Sequence, residues 1–297
     1  MRLSVITDGI SRDLDHALAV MADHGLREAE LQYVRTAEGD REVGDLSDGD
    51  RRKVREALAA REMRVPCISR HLFAGQVMAT ARPGDEEHTR HMEALRRCIA
   101  FAHELADLSP ANEPPLVRIM TGRKEAILFG AHGAEVWNVA HGAWDAQLPL
   151  VAPAVDLARR EGVRLAVETG NGTMVNSCHT ARRLIDDLDA AGVLGVLWDP
   201  ANNRWCKENP LEGYAAIRDH LLHVHIKDVH ADPPRAMLEV RPLGEGELGP
   251  HLPAIAQALR ADGYKGAVSY ESVFHPGNGD FEAGFRGNVE RFRELFG

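Results

Sequence analysis

Strand-sized apolar runs alternate with helix-sized amphipathic ones along the whole chain, and this rhythm limits the fold more than any single residue does. The first pair is RLSVIT (2–7) and then SRDLDHALAVMADHG, where Leu14, Leu18 and Met21 recur at helical spacing. Ser11 is placed to cap that helix and Gly25 to close it. Further strands read as EAELQYV (28–34), MRVPCIS (63–69), PLVRIMTG (115–122), VRLAVETG (163–170), GVLWDP (195–200), LLHVHIKD (221–228) and GAVSYES (266–272). Helical patterns fall between them, around 47–60, 86–106, 144–161 and 211–219. Others carry Leu184, Ile185 and Leu188; Leu252, Ile255 and Leu259; and Phe281, Phe285, Val289 and Phe292. A long loop is expected after Asp228. Eight alternations within 297 residues predict an α/β protein, a (β/α)8 TIM barrel forming a single domain over 1–297. An open doubly wound sheet also alternates, but no GxGxxG or GxxxxGK follows the first strand, so its nucleotide-binding form loses its main signal.

Charge and composition exclude several functions. The net charge is −10, which repels phosphate backbones and argues against a nucleic-acid partner. The apolar runs are strand-sized, so no membrane span is expected. MRLSVITDGI enters a strand directly and lacks a signal-peptide pattern. Cys67, Cys98, Cys178 and Cys206 are scattered without a CxxC pair, which suits reduced thiols in the cytoplasm.

Four late strands end in a group able to bind metal: Glu168 in LAVETG, Asp199 in VLWDP, His225 in HVHIKD and Glu271 in AVSYES. Their apolar neighbours share one phase. Leu165 and Val167, Val196 and Trp198, Val224 and Ile226, and Val268 and Tyr270 would face the helices, which turns the four polar residues toward the barrel axis. Ala166, Leu197, His223 and Ser269 would fill the layer beneath. Three convergent carboxylates repel one another unless a cation joins them, so one divalent ion is expected. Three oxygen donors and one imidazole suit Mn2+, Mg2+ or Co2+, with Zn2+ or Fe2+ as further options.

With this order of Glu, Asp, His and Glu, the chain resembles the xylose-isomerase-like TIM barrel superfamily of sugar phosphate isomerases and epimerases. That group also holds hydroxypyruvate isomerases, ketose 3-epimerases, inosose dehydratases and the apurinic endonuclease IV group. HVHIKD and RPLGEGELG (241–249), followed by a helix and YKGAVSYE, carry the likeness. It implies a metal quartet of Glu168, Asp199, His225 and Glu271, with Glu168 and Glu271 also moving protons. The endonuclease branch and the ketose epimerases place a histidine three positions after the aspartate; here that position is Asn202.

The implied activity is metal-dependent isomerisation or epimerisation of a polyhydroxy ketone or aldehyde, a sugar or sugar phosphate, by proton transfer through an enediolate. An inosose-type dehydratase is the rival on the same scaffold. A non-catalytic barrel binding sugar or metal is the rival from another class. Lys227, Asn202, Arg204 and His71 are candidate substrate contacts; for Lys227 an ion pair with Asp228 or a loop carboxylate is an equal reading. Trp205 is a candidate cover for the ligand, with helix packing as the other reading. Glu30, Gln32 and Arg118 are inward candidates whose alternative is barrel packing, and His223 reads as a hydrogen-bonded core histidine. The partner is a small sugar-like molecule, and self-association stays open.

Overall fold

The computed structural model describes residues 1–78, 80–111, 113–123, 142–235 and 237–297. Its strands are β1 (Arg2–Ile6), β2 (Glu28–Glu30), β3 (Tyr33–Thr36), β4 (Gly39–Glu42), β5 (Leu116–Ile119) and β6 (Arg164–Glu168), then β7 (Leu194–Trp198), β8 (Leu221–Ile226), β9 (Asp228–Asp232), β10 (Met237–Arg241) and β11 (Ala267–Tyr270). Its α-helices are α1 (Leu14–Asp23), α2 (Asp48–Ala60), α3 (Glu86–Glu104), α4 (Gly142–Glu161), α5 (Cys178–Asp187), α6 (Pro210–Ile217), α7 (Leu252–Ala261) and α8 (Phe281–Phe296).

Seven strands form one parallel, curled sheet in the order β2-β1-β11-β8-β7-β6-β5. The eighth stave is the expected strand at 63–69, which pairs only through isolated bridges at Arg64 and Ile68. Pro66 sits in its middle and cannot donate to a ladder. Closure is still achieved: Ser69 N donates to Leu31 O at 2.8 Å, Ile68 N to Leu116 O at 2.9 Å, and Arg118 N to Ile68 O at 2.9 Å. The TIM barrel expectation is met.

The alternation in each strand divides the interior into two apolar regions. Outward residues such as Leu165, Val196, Val224 and Val268 pack under helix residues Leu18, Leu95, Leu184, Ile255 and Phe285 in one continuous core. Inward, Cys67, Leu116, Ala166 and Leu197 fill the barrel as a separate small cluster. Full burial of a Leu or Ile side chain contributes roughly 1.5–3 kcal/mol, so the outer layer dominates stability.

Three local expectations change. Asp13, not Ser11, caps α1, accepting from His16 N at 3.2 Å. The run 28–34 is split between β2 and the β3–β4 hairpin. The expected loop after Asp228 begins as a second hairpin, β9–β10. Asp228 organises the turn beyond it: Oδ1 accepts from Val229 N and Leu248 N, each at 2.9 Å, and Oδ2 from Gly244 N and Gly246 N, each at 3.0 Å. Gly246 is required there, because a Cβ would stand 2.3 Å from Asp228 Oδ1.

Candidate functional site

The parallel register delivers the four candidate ligands to one end of the barrel. Ser269 pairs with His225 and Tyr270 with Ile226, so Glu271, whose amide donates to Ile226 O at 2.9 Å, emerges beside His225. Glu168 ends β6, and Asp199 directly follows β7. Glu168, Asp199, His225 and Glu271 each place a ligating atom within 4.8 Å of the others. The first three are buried, whereas the Glu271 side chain is 20% exposed.

Each member is held differently. Asp199 Oδ1 accepts from Ala201 N and Asn202 N, both at 3.0 Å. Glu168 is engaged at both oxygens, by Arg118 Nη1 at 2.9 Å and Asn202 Nδ2 at 3.2 Å. His225 Nε2 lies 2.9 Å from Glu30 Oε1. The other oxygen of Glu30 is 2.8 Å from His223 Nε2, which also lies 3.0 Å from Ser269 Oγ. Ser69 Oγ donates to Glu30 as well. Glu30 is fully buried and is therefore the carboxylate that orients the imidazole from behind.

The charges follow from burial and partners. Burial alone would raise Glu168, but the charges of Arg118 and His225 hold it well below the usual carboxylate range. Burial lifts Asp199 to about 6, so it is still ionised at neutral pH. Burial opposes the charge on Lys227, yet Asp199 and Glu271 raise it above the usual lysine range. Its ammonium lies 2.5 Å from both Asp199 Oδ2 and Glu271 Oε2. For His225 burial opposes the charge, while the charges of Glu30 and Glu168 raise it to about 10.

A divalent ion fits this donor set. Nδ1 of His225 is buried without a hydrogen-bond partner, 3.8 Å from Glu168 Oε1 and 3.6 Å from Glu271 Oε2. An unpaired buried polar atom costs about 1–3 kcal/mol, and a cation shared by the four groups would satisfy it.

The other candidates are dispersed around this centre. Asn202 touches Glu168, and Lys227 bridges Asp199 and Glu271 rather than pairing with Asp228. His71 is exposed, and its Nδ1 lies 3.1 Å from Gln32 Nε2. Surrounding protein and then the Arg118 charge push it down to about 4. Arg204 is not brought to the quartet: its Nη1 donates to Glu208 O at 3.0 Å and it faces Glu247 at 3.4 Å. Trp205 lies in the short helical turn Asn202–Cys206.

Sequence reasoning named Glu30 and Arg118 without a role and passed over Asp8. Period-two phase turns Glu30 inward, alternating with Ala29 on β2, but does not reveal that it pairs with His225 and His223. Asp8 stands just past β1, in a turn where an Asp-Gly pair reads as backbone chemistry.

A family model described as "Xylose isomerase-like TIM barrel" matches residues 18–295. No curated protein sequence matches the chain. Among solved structures, a D-tagatose 3-epimerase-like protein superposes with a TM-score of 0.71 at 17% identity, covering 100% of this chain and 98% of that one. D-psicose 3-epimerase with D-tagatose from Clostridium cellulolyticum H10 gives 0.70 at 13% identity, covering 100% and 99%. The probable 3-DHS dehydratase AsbF of Bacillus anthracis gives 0.69 at 15% identity, covering 98% and 100%. At these identities the likeness shows the fold.

Proposed function

This chain belongs to the xylose isomerase-like TIM barrel family, and we propose that it is a divalent-metal-dependent sugar isomerase or epimerase acting on a polyhydroxy ketone or aldehyde. The observation that carries the reading is the convergence of Glu168, Asp199, Glu271 and the unpaired Nδ1 of His225 on one point. Those four residues would hold one ion, Mn2+, Mg2+ or Co2+ by donor chemistry. When bound, it supplies a positive centre that stabilises negative charge developing on the substrate oxygens.

The protein's own groups divide the remaining work. Glu271 is the quartet carboxylate that lines the open cavity, so it takes the proton next to the carbonyl. Glu168, held from behind by Arg118 and Asn202 and ionised at rest, takes up a proton from solvent and returns it on the opposite face. Glu30 keeps His225 oriented. Lys227, Asn202 and His71 contact substrate oxygens from the rim, with Arg204 more distant at the Glu247 loop. We read residues 1–297 as one barrel domain, working in the cytoplasm, where the four free cysteines stay reduced.

The second reading is a dehydratase, favoured by the unequal access of the two glutamates. The same proton removal followed by loss of a β-hydroxyl needs only one carboxylate facing the substrate. Metal analysis tests the shared premise: about one divalent ion per chain is expected, falling sharply in Asp199→Ala and His225→Ala. Three tightly held zinc ions would move the protein to the endonuclease branch, and no ion under metal-replete conditions would remove the reading.

A further inference from the structure

Glu168 and Asp199 reach the site from neighbouring strands, and a residue so far without a role ties those two strand ends together. Thr169 follows Glu168 directly and is fully buried. Its amide donates to Leu197 O at 3.1 Å, which carries the β6–β7 ladder one step past the last residue of β6. Its hydroxyl crosses to the other strand end, where Oγ1 accepts from Asp199 N at 3.0 Å. A hydroxyl donates as well as accepts, and this one has Asp199 O at 3.3 Å and Asn203 Oδ1 at 3.4 Å as acceptors for its proton.

Asn203 closes the arrangement from the far side. It is buried, its Nδ2 donates to Asn176 O at 2.9 Å, and its amide donates to Asp199 O at 3.3 Å. The same turn supplies the Ala201 and Asn202 amides that hold Asp199 Oδ1, and the Asn202 side chain that meets Glu168. The end of β6, the end of β7 and the turn 202–206 therefore meet at the Thr169 hydroxyl.

Two ionised carboxylates repel each other, so their spacing has to be imposed by the backbone that carries them. A metal site tolerates ligand displacements of only about 0.2 Å. A hydrogen bond to the Asp199 amide acts directly on that spacing. We propose that Thr169 is a positioning residue whose hydroxyl sets the separation of Glu168 and Asp199, and with it the affinity for metal, while Asn203 holds that hydroxyl in place. The inference rests on the metal-site reading and adds to it the residue that spaces two of the ligands.

Valine has nearly the shape of threonine but no side-chain donor or acceptor, and serine restores the hydroxyl alone. The test is chelator competition for Mn2+ in the parent, Thr169→Val and Thr169→Ser, with melting of each metal-free protein alongside. Affinity should fall about tenfold in Thr169→Val and return close to the parent value in Thr169→Ser. The electron paramagnetic resonance spectrum of bound Mn2+ should change in Thr169→Val and match the parent in Thr169→Ser. If Thr169→Val does not fold, Asn203→Ala takes its place and should weaken Mn2+ binding in the same direction; parent-level affinity there would count against the inference. Parent-level affinity in Thr169→Val with a lowered melting temperature, or no recovery in Thr169→Ser, would overturn the inference alone. Absence of Mn2+ binding by the parent protein would overturn the metal-site reading and the inference with it.

Discussion

Nε2 of His225 lies 2.9 Å from Oε1 of Glu30, and this contact turns the other ring nitrogen toward Glu168 and Glu271. The pair spans the barrel from β8 to β2, so the orientation of a metal-binding imidazole depends on a residue that never reaches the metal position. Glu30→Gln preserves volume but removes the charge. Affinity for a divalent ion should fall by roughly 10–100-fold while the fold persists. Metal titration with a chelator as competitor reads this, and an unchanged affinity would show that Glu30 only fills space.

Lys227 holds the two carboxylates that a metal would also claim. Lys227→Met should destabilise the metal-free protein by about 3 kcal/mol, since two buried or half-buried carboxylates lose their counter-ion. It should also strengthen metal binding, because the competing ammonium is gone. Denaturant unfolding with and without Mn2+ separates the two effects. Equal destabilisation in both conditions would contradict the competition.

Asp8 makes stability depend on pH. Burial raises its value from the ordinary 3.8 to about 6, so the folded state holds the proton more tightly than the unfolded chain. The native state therefore binds more protons across that window, and stability declines as pH rises from about 4 through about 6. Asp8→Asn lacks this penalty. Its melting temperature should exceed the parent's at pH 7 by more than at pH 4, and a pH-independent difference would count against a half-buried Asp8 with a raised value.

The turn after β10 depends on Asp228 and on a missing side chain. Gly246→Ala would place a methyl 2.3 Å from Asp228 Oδ1 and 2.6 Å from Val229 O, both with little room to move. A loss of about 1–3 kcal/mol is expected, with metal affinity little changed. Thermal melts read the first and metal titration the second.

Much of this arrangement is legible in the chain. Shared phase at Val167, Trp198, Ile226 and Tyr270 points Glu168, Asp199, His225 and Glu271 to one axis, and the structure unites them. The third stave is harder, because Pro66 breaks its ladder and pairing survives only at isolated positions. The two hairpins are hidden because β4 (GDRE) is polar throughout and β10 (MLEVR) follows a stretch read as loop, so pairing rather than composition makes them strands. The partners of Lys227 arise from β7 and β11, neighbours of β8 in space that no local pattern encodes. Arg204 illustrates the same limit, since its pairing with Glu247 links segments 43 residues apart.

The central claim is that Glu271 and Glu168 transfer a substrate proton at a metal-holding site, and deuterium exchange tests it most directly. Metal-loaded protein incubated with D-tagatose or D-fructose in heavy water should wash deuterium into the carbon next to the carbonyl, as read by NMR. Glu271→Gln should cut that exchange by roughly 10²–10⁴-fold. Glu168→Gln should retain exchange while losing isomerised or epimerised product. Exchange at the parent rate in Glu271→Gln, with metal still bound, would contradict the account.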